Sequence, residues 1–259
     1  MHATQIYGPI LALLFALAAG VLGCFALMKR MLLASDVISH LALPGLGIAF
    51  LLKVSPLAGG AATLFLGTVL VWKLQRRTGL ATEAAVGVVF AAALAIGAAL
   101  TPEEDLVESL FGAFRTISLG GFLLGLIAVA FVLIFLFLLK DRLILSLFSP
   151  DLAAVTGVDV SRLDLYFLLL FSLVILAGLR LMGALLASAL VILPAATARQ
   201  FTGNIASFLW ASPIVSVLSV SVGYGFATLV LKTRTVAPTI VIVSALIFGA
   251  TLLRPSQSA

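Results

Sequence analysis

The chain has 259 residues, of which 63% are hydrophobic and only 10% charged, and its mean hydropathy is +1.30. A soluble domain carries about a quarter charged residues, so this is a polytopic membrane protein with no room for a soluble catalytic domain beside the spans. The net charge of +5 does not point to nucleic acid, because in a membrane protein the placement of positive residues matters more than their sum. The single cysteine, Cys24, lies in an apolar run. It excludes an intrachain disulfide and reads as a small buried apolar residue.

A membrane-crossing helix needs about 20 apolar residues. Runs of that kind, separated by charges or by Gly and Pro, predict eight or nine spans. Met1 to Gln5 lack the basic start of a cleaved signal peptide, so the run 6–28 is expected to be a retained first span, closed by Lys29 and Arg30. Span two is 31–52. Span three, 56–72, ends at the basic stretch Lys73, Arg76 and Arg77. Span four is 83–100, followed by the acidic loop Glu103-Glu104-Asp105 and a less apolar piece, 106–118, that reads as re-entrant or interfacial. Span five is 120–139, closed by Lys140-Asp141-Arg142.

Residues 143–162 are too short and too polar to cross. Ser149-Pro150-Asp151 resembles a helix start and Gly157 a helix stop, which predicts a short helix and turn at the membrane surface. Its plain reading is a solvated loop, and its sharper one a docking helix for a cytoplasmic partner. From 164 to 198 the chain is apolar for 35 residues. One straight helix of that length would reach about 52 Å, against a hydrocarbon core of about 30 Å. It must break, between Gly178 and Gly183, into spans six and seven. Spans eight and nine are 208–231 and 236–253.

With nine spans, Lys29, Arg30, Lys73, Arg76, Arg77, Lys140, Arg142, Arg162, Arg199 and Arg254 fall on one side. The positive-inside rule makes that side cytoplasmic. The N-terminus is then outside and the C-terminus cytoplasmic. Small residues are dense in span four (Gly87, Ala91, Ala95, Gly97) and span seven (Gly183, Ala184, Ala187, Ser188). They predict close helix packing and a compact interior, or a subunit interface.

The chemistry concentrates at Asp36 and His40. Four residues is just over one helical turn, so the two side chains share a face, about 6 Å apart along the axis. They sit near the middle of span two, where ionisable groups face a partner, a cavity or a pathway. Pro44 disturbs the helical hydrogen bonding near His40 and frees a carbonyl, and Gly45 and Gly47 allow close packing or a break. A carboxylate and an imidazole suit a divalent first-row metal better than Mg2+ or Ca2+. The site is incomplete, which suits an ion that must also leave. The alternative is an Asp–His hydrogen bond that only fixes packing. Pro194 is expected to kink or end span seven, with Arg199 at its cytoplasmic end. No Walker A loop, His-Glu-x-x-His or Gly-x-Ser-x-Gly motif occurs, so any ATP-driven step needs a partner chain.

Taken together, these segments resemble the zinc/manganese/iron permease family of bacterial ABC importers. The match runs through Asp36-Val37-Ile38-Ser39-His40 with Pro44-Gly45, through Val86-Gly87-Val88-Val89-Phe90, and through Ser149-Pro150-Asp151-Leu152-Ala153 with Gly157-Val158. It is most specific from Gly183-Ala184-Leu185-Leu186 to Leu193-Pro194-Ala195-Ala196-Thr197-Ala198-Arg199. Within the family it looks most like the zinc-uptake permease. Two places depart from the pattern: Ala113 follows Leu110-Phe111-Gly112 where the family often has Asp, and Val236-Ala237-Pro238 replaces a Pro-x-Gly-Pro type turn.

The resemblance implies an all-α, polytopic helical bundle, one permease domain over 1–259, with a short cytoplasmic coupling helix within about 149–162. It implies a non-enzymatic subunit in the plasma (inner) membrane of a bacterium that moves Zn2+, Mn2+ or Fe2+ inward and holds no permanent cofactor. Its partners would be a second copy of itself, cytoplasmic ATP-binding subunits and an extracytoplasmic metal-binding protein. Asp36 and His40 would be the transient metal site. Ser149, Pro150, Asp151, Leu152, Ala153 and Gly157 would couple to the ATPase, and Pro44, Gly45 and Pro194 would serve as helix breaks in gating. The competing readings are the permease of a siderophore or cobalamin importer, or a structural membrane subunit.

Overall fold

The computed structural model describes residues 2–32, 34–100, 118–230 and 236–253. The acidic loop, nearly all of 106–118 with the Leu110-Phe111-Gly112-Ala113 departure, and Lys232, Arg234 and Arg254 lie outside them. Among the described residues every regular element is helical: α1 (His2–Met28), α2 (Ala34–Ser39), a tight 3-10 turn (His40–Ala42), α3 (Leu43–Leu52), α4 (Pro56–Thr78) and α5 (Thr82–Leu100). Then come α6 (Leu119–Phe148), α7 (Pro150–Val155), α8 (Val160–Met182), α9 (Ala184–Phe201), α10 (Ile205–Gly225) with a π-helical turn (Phe226–Val230), and α11 (Val236–Leu252). Seven of these helices are long and apolar enough to cross a membrane, and Ala34–Ala49 and Val236–Leu252 are shorter apolar segments. These are the nine runs of the sequence, in order.

Helix α6 shows why the bundle belongs in lipid. Its residues Val129, Val132, Leu136, Leu139, Leu143 and Ser146 are buried, while Leu124, Ile127, Phe131, Ile134 and Leu138 are exposed. Both stripes step by three and four residues, as opposite faces of one helix must. An exposed apolar stripe of that length is untenable in water and ordinary against acyl chains.

The centre of the bundle is α1. Two-thirds of its membrane window (67%) is buried, against 22% for α6, and it packs on α6, α8, α9 and α10. Its small residues allow this: a Cβ on Gly20 would lie 2.6 Å from Cα of Pro213 in α10. The neighbouring polar groups tie the same helices together. Ser212 Oγ donates to the Gly20 carbonyl at 2.8 Å, and the Cys24 thiol reaches the Phe208 carbonyl at 3.4 Å. Cys24 is buried, as its setting predicts.

Four boundaries differ from the sequence expectation. Span two is not one helix, because the 3-10 turn divides it into α2 and α3. Span three continues past Trp72 to Thr78, where Gly79, with φ of 67°, caps it. Span five does not stop at Lys140: α6 runs to Phe148, since Leu143 and Ser146 continue its buried stripe, leaving only α7 and its flanking turns as the surface segment. Pro194 does not end span seven; it is buried inside α9, which continues to Phe201. The predicted break between spans six and seven falls at Gly183, with φ of 83°.

The ends of α1, α4 and α6 and the starts of α5 and α8 gather at one end of the bundle. There they line a cavity of about 230 Å³ that includes Lys29, Arg30, Gln75, Thr82 and Asp164. Lys29 is ion-paired with Asp164, and Trp72 Nε1 donates to the Ser161 carbonyl at 2.8 Å. These contacts place the basic ends of α1 and α4 on one face of the bundle.

Candidate functional site

Helix α2 is short, and its two faces differ in chemistry. Ala34, Ser35, Ile38 and Ser39 are buried. The buried hydroxyls are satisfied locally: Ser35 Oγ donates to the Leu32 carbonyl at 2.7 Å and Ser39 Oγ to the Asp36 carbonyl at 2.6 Å. That rotation turns Asp36, Val37 and His40 to the other face. In the single chain Asp36 is exposed and His40 half-buried. Neither side chain is buried among the core residues that hold the other side of α2.

The 3-10 turn begins at His40 itself. Pro44 has no N–H to give to the His40 carbonyl. Leu43 N–H bonds that carbonyl instead, one residue earlier, which tightens the helix. The carbonyl expected to be free is therefore taken. Gly45 acts in packing: a Cβ on it would lie 2.0 Å from the Gly59 carbonyl oxygen, and one on Gly59 would lie 2.2 Å from that of Gly45. The backbones of α3 and α4 touch at these two glycines. Thr63 of α4 also donates to the Ala42 carbonyl at 3.4 Å.

Two side chains from other helices reach the pair. The ring of Phe90 in α5 lies 5.7 Å from that of His40, tilted by 52°. Phe90 is the ninth of the 19 residues of α5, so His40 stands level with the middle of a span. Ser188 of α9 donates to Asp36 Oδ1 at 3.4 Å, so Asp36 engages another helix rather than His40. Among the described residues no cluster of three or more His, Cys, Asp or Glu forms. In the sequence Ser188 is no more than one of the small packing residues of span seven. Its 152-residue separation from Asp36 leaves no local signal that would have linked them.

The surface segment forms as its residues dictate. Ser149 caps α7, its Oγ accepting from Leu152 N–H at 3.4 Å, and Pro150 occupies the first turn with Asp151, where a rigid φ and a negative charge both favour a helix start. Gly157, with φ of 82°, stops it; Val158 N–H bonds the Ala153 carbonyl at 2.9 Å. Ala153 is buried against α6 and α8, while Phe148, Leu152 and Val155 are exposed, Val155 by 85%.

The small residues of the two spans part company. On α9, Ala184, Ala187 and Ser188 are buried. On α5, Gly97 is buried but Gly87, Ala91 and Ala95 are exposed, on the helix that touches His40.

The model of the ABC 3 transport family matches residues 3–254. This chain belongs to the ABC 3 transport family. It is 31% identical to the manganese transport system membrane protein MntC of Halalkalibacterium halodurans, over 84% of this chain and 76% of that one. It is 27% identical to the high-affinity zinc uptake system membrane protein ZnuB of Buchnera aphidicola, over 96% and 97%. The structure of PsaBC from Streptococcus pneumoniae in complex with Fab superimposes with a TM-score of 0.81 at 24% identity, over 99% of this chain and 98% of that one. That likeness shows the fold: an all-α bundle, integral to the membrane, as the ABC 3 assignment and the seven long apolar helices require.

Proposed function

We propose that this ABC 3 family chain is the membrane-spanning subunit of an importer of a divalent first-row metal ion, Mn2+ or Zn2+ first, with Fe2+ compatible with the same donors. Asp36 and His40 form its transient site. The observation that carries this is that Asp36 of α2 and His40 of the following turn both stay out of the packed core, with His40 against Phe90 at the midpoint of α5. Support also comes from relatives named for manganese and zinc transport.

A carboxylate turned toward lipid at that depth would cost several kcal/mol, so a second copy of the chain covers it. The small exposed residues of α5 let that copy approach closely. A two-fold axis beside α2 pairs the same patch with itself and brings two carboxylates and two imidazoles to one point. Four such donors hold a transition metal, and a site shared between subunits opens when they part. The break at Pro44 lets α2 and α3 move separately around His40, and Pro194 gives α9 the same freedom; Gly45 keeps α3 seated on α4.

The energy comes from separate cytoplasmic ATP-binding subunits, which dock on Ser149 to Gly157 through the exposed Leu152 and Val155 while Ala153 anchors α7 to the bundle. A metal-binding protein delivers the ion from outside. The basic face is cytoplasmic, the C-terminus lies on that side, and residues 1–259 act as one permease domain in a bacterial inner membrane. The test is growth of a metal-starved host expressing the chain with its ATP-binding and metal-binding partners. Rescue by Mn2+ or Zn2+ is expected; no rescue by Mn2+, Zn2+ or Fe2+ counts against the reading.

A further inference from the structure

We propose that Ser188 sets which metal the Asp36/His40 site prefers, as a positioning residue acting through Asp36. The inference rests on the site reading above. Ser188 is 5% exposed on α9. Its one hydroxyl proton has three acceptors in reach: the Ala184 carbonyl at 3.0 Å, the Leu185 carbonyl at 3.2 Å and Asp36 Oδ1 at 3.4 Å. Both carbonyls lie in the helix Ala184–Phe201, where backbone N–H groups also serve them. An ionised carboxylate is the stronger acceptor. The hydroxyl therefore favours Oδ1 over carbonyls that the helix already serves.

This division of labour matters for the ion. With Oδ1 held against α9 and one of its lone pairs taken, Asp36 offers a metal chiefly Oδ2. One oxygen per carboxylate suits four-coordinate Zn2+, whose structural and catalytic sites are built from few, close donors. Oxygen-rich, higher-coordinate shells suit Mn2+, and a carboxylate free to use both oxygens supplies such a shell. Hydrogen-bonded partners of ligands fix ligand orientation and shift metal affinity about 10- to 100-fold. Ser188 thus restrains the site toward the smaller shell, and its removal releases Oδ1.

The experiment is competitive uptake of Mn2+ and Zn2+ by vesicles holding the chain with its ATP-binding subunits and supplied with the same metal-binding protein, comparing wild type, Ser188→Ala, Ser188→Thr and Asp36→Ala at equal protein. Ser188→Ala is expected to shift the uptake ratio toward Mn2+ by about fivefold, which corresponds to about 1 kcal/mol of net hydrogen-bond energy. Ser188→Thr, which keeps the hydroxyl, is expected to hold the wild-type ratio. An unchanged ratio in Ser188→Ala, or an equal fall for both metals, overturns the inference while loss of uptake in Asp36→Ala leaves the site reading standing. Full uptake by Asp36→Ala overturns both.

Discussion

Phe90 of α5 lays its ring against His40, 5.7 Å between centroids and 52° out of parallel. Aromatic contacts of this kind are worth about 0.5–1.5 kcal/mol. Phe90→Ala should therefore raise the metal concentration for half-maximal uptake by roughly two- to tenfold while the protein still inserts. Phe90→Tyr should stay close to wild type. Concentration-dependent uptake in vesicles checks this, and an unchanged half-saturation in Phe90→Ala would show that the ring is only packing.

The Gly45–Gly59 contact leaves no room for a methyl group. Gly45→Ala should lower stability by about 1–3 kcal/mol through overpacking, seen as a lower thermal midpoint in detergent. Gly249→Ala, where a Cβ meets nothing within 4 Å, should leave the midpoint unchanged or raise it slightly. Equal midpoints for Gly45→Ala and wild type would contradict the close α3–α4 crossing.

Much of this architecture is written in the chain at the level of length and punctuation. The turn at Gly183 follows from 35 apolar residues being too long for one crossing, and α7 follows from Ser149, Pro150 and Gly157. What needed three dimensions was local or very distant. The 3-10 turn at His40 depends on which N–H replaces the one Pro44 lacks, and periodicity does not report that. Lys140-Asp141-Arg142 looks like a helix end by charge alone, but the buried stripe through Leu143 and Ser146 carries α6 on to Phe148. The outward turn of Asp36 goes with the burial of Ala34, Ser35, Ile38 and Ser39 on the opposite side of α2. The approach of Ser188 is set by how α9 packs on α2.

Lys29 and Asp164 join α1 to α8 at the basic end, with Lys29 largely shielded (12% exposed) and Asp164 more open (39%). A pair so placed should contribute about 1 kcal/mol. Lys29→Ala and Asp164→Ala should each lower the thermal midpoint, and the double variant should lose less than the sum by about that amount. Strict additivity in the cycle would mean the two side chains are not coupled.

Val155 protrudes from α7, 85% exposed among the described residues. Val155→Asp should weaken capture of the ATP-binding subunits by about tenfold or more, the effect of spoiling a central apolar contact. Metal-stimulated ATP hydrolysis should fall with it. Wild-type capture and stimulation would move the docking surface elsewhere.

The most direct test of the whole account is metal uptake, with the metal-binding protein supplied, by vesicles in which Asp36→Ala and His40→Ala chains have assembled with their ATP-binding subunits to wild-type levels. The account predicts that Mn2+ and Zn2+ uptake falls to background in both variants although assembly is intact. Uptake of both metals at the wild-type rate by either variant would contradict it.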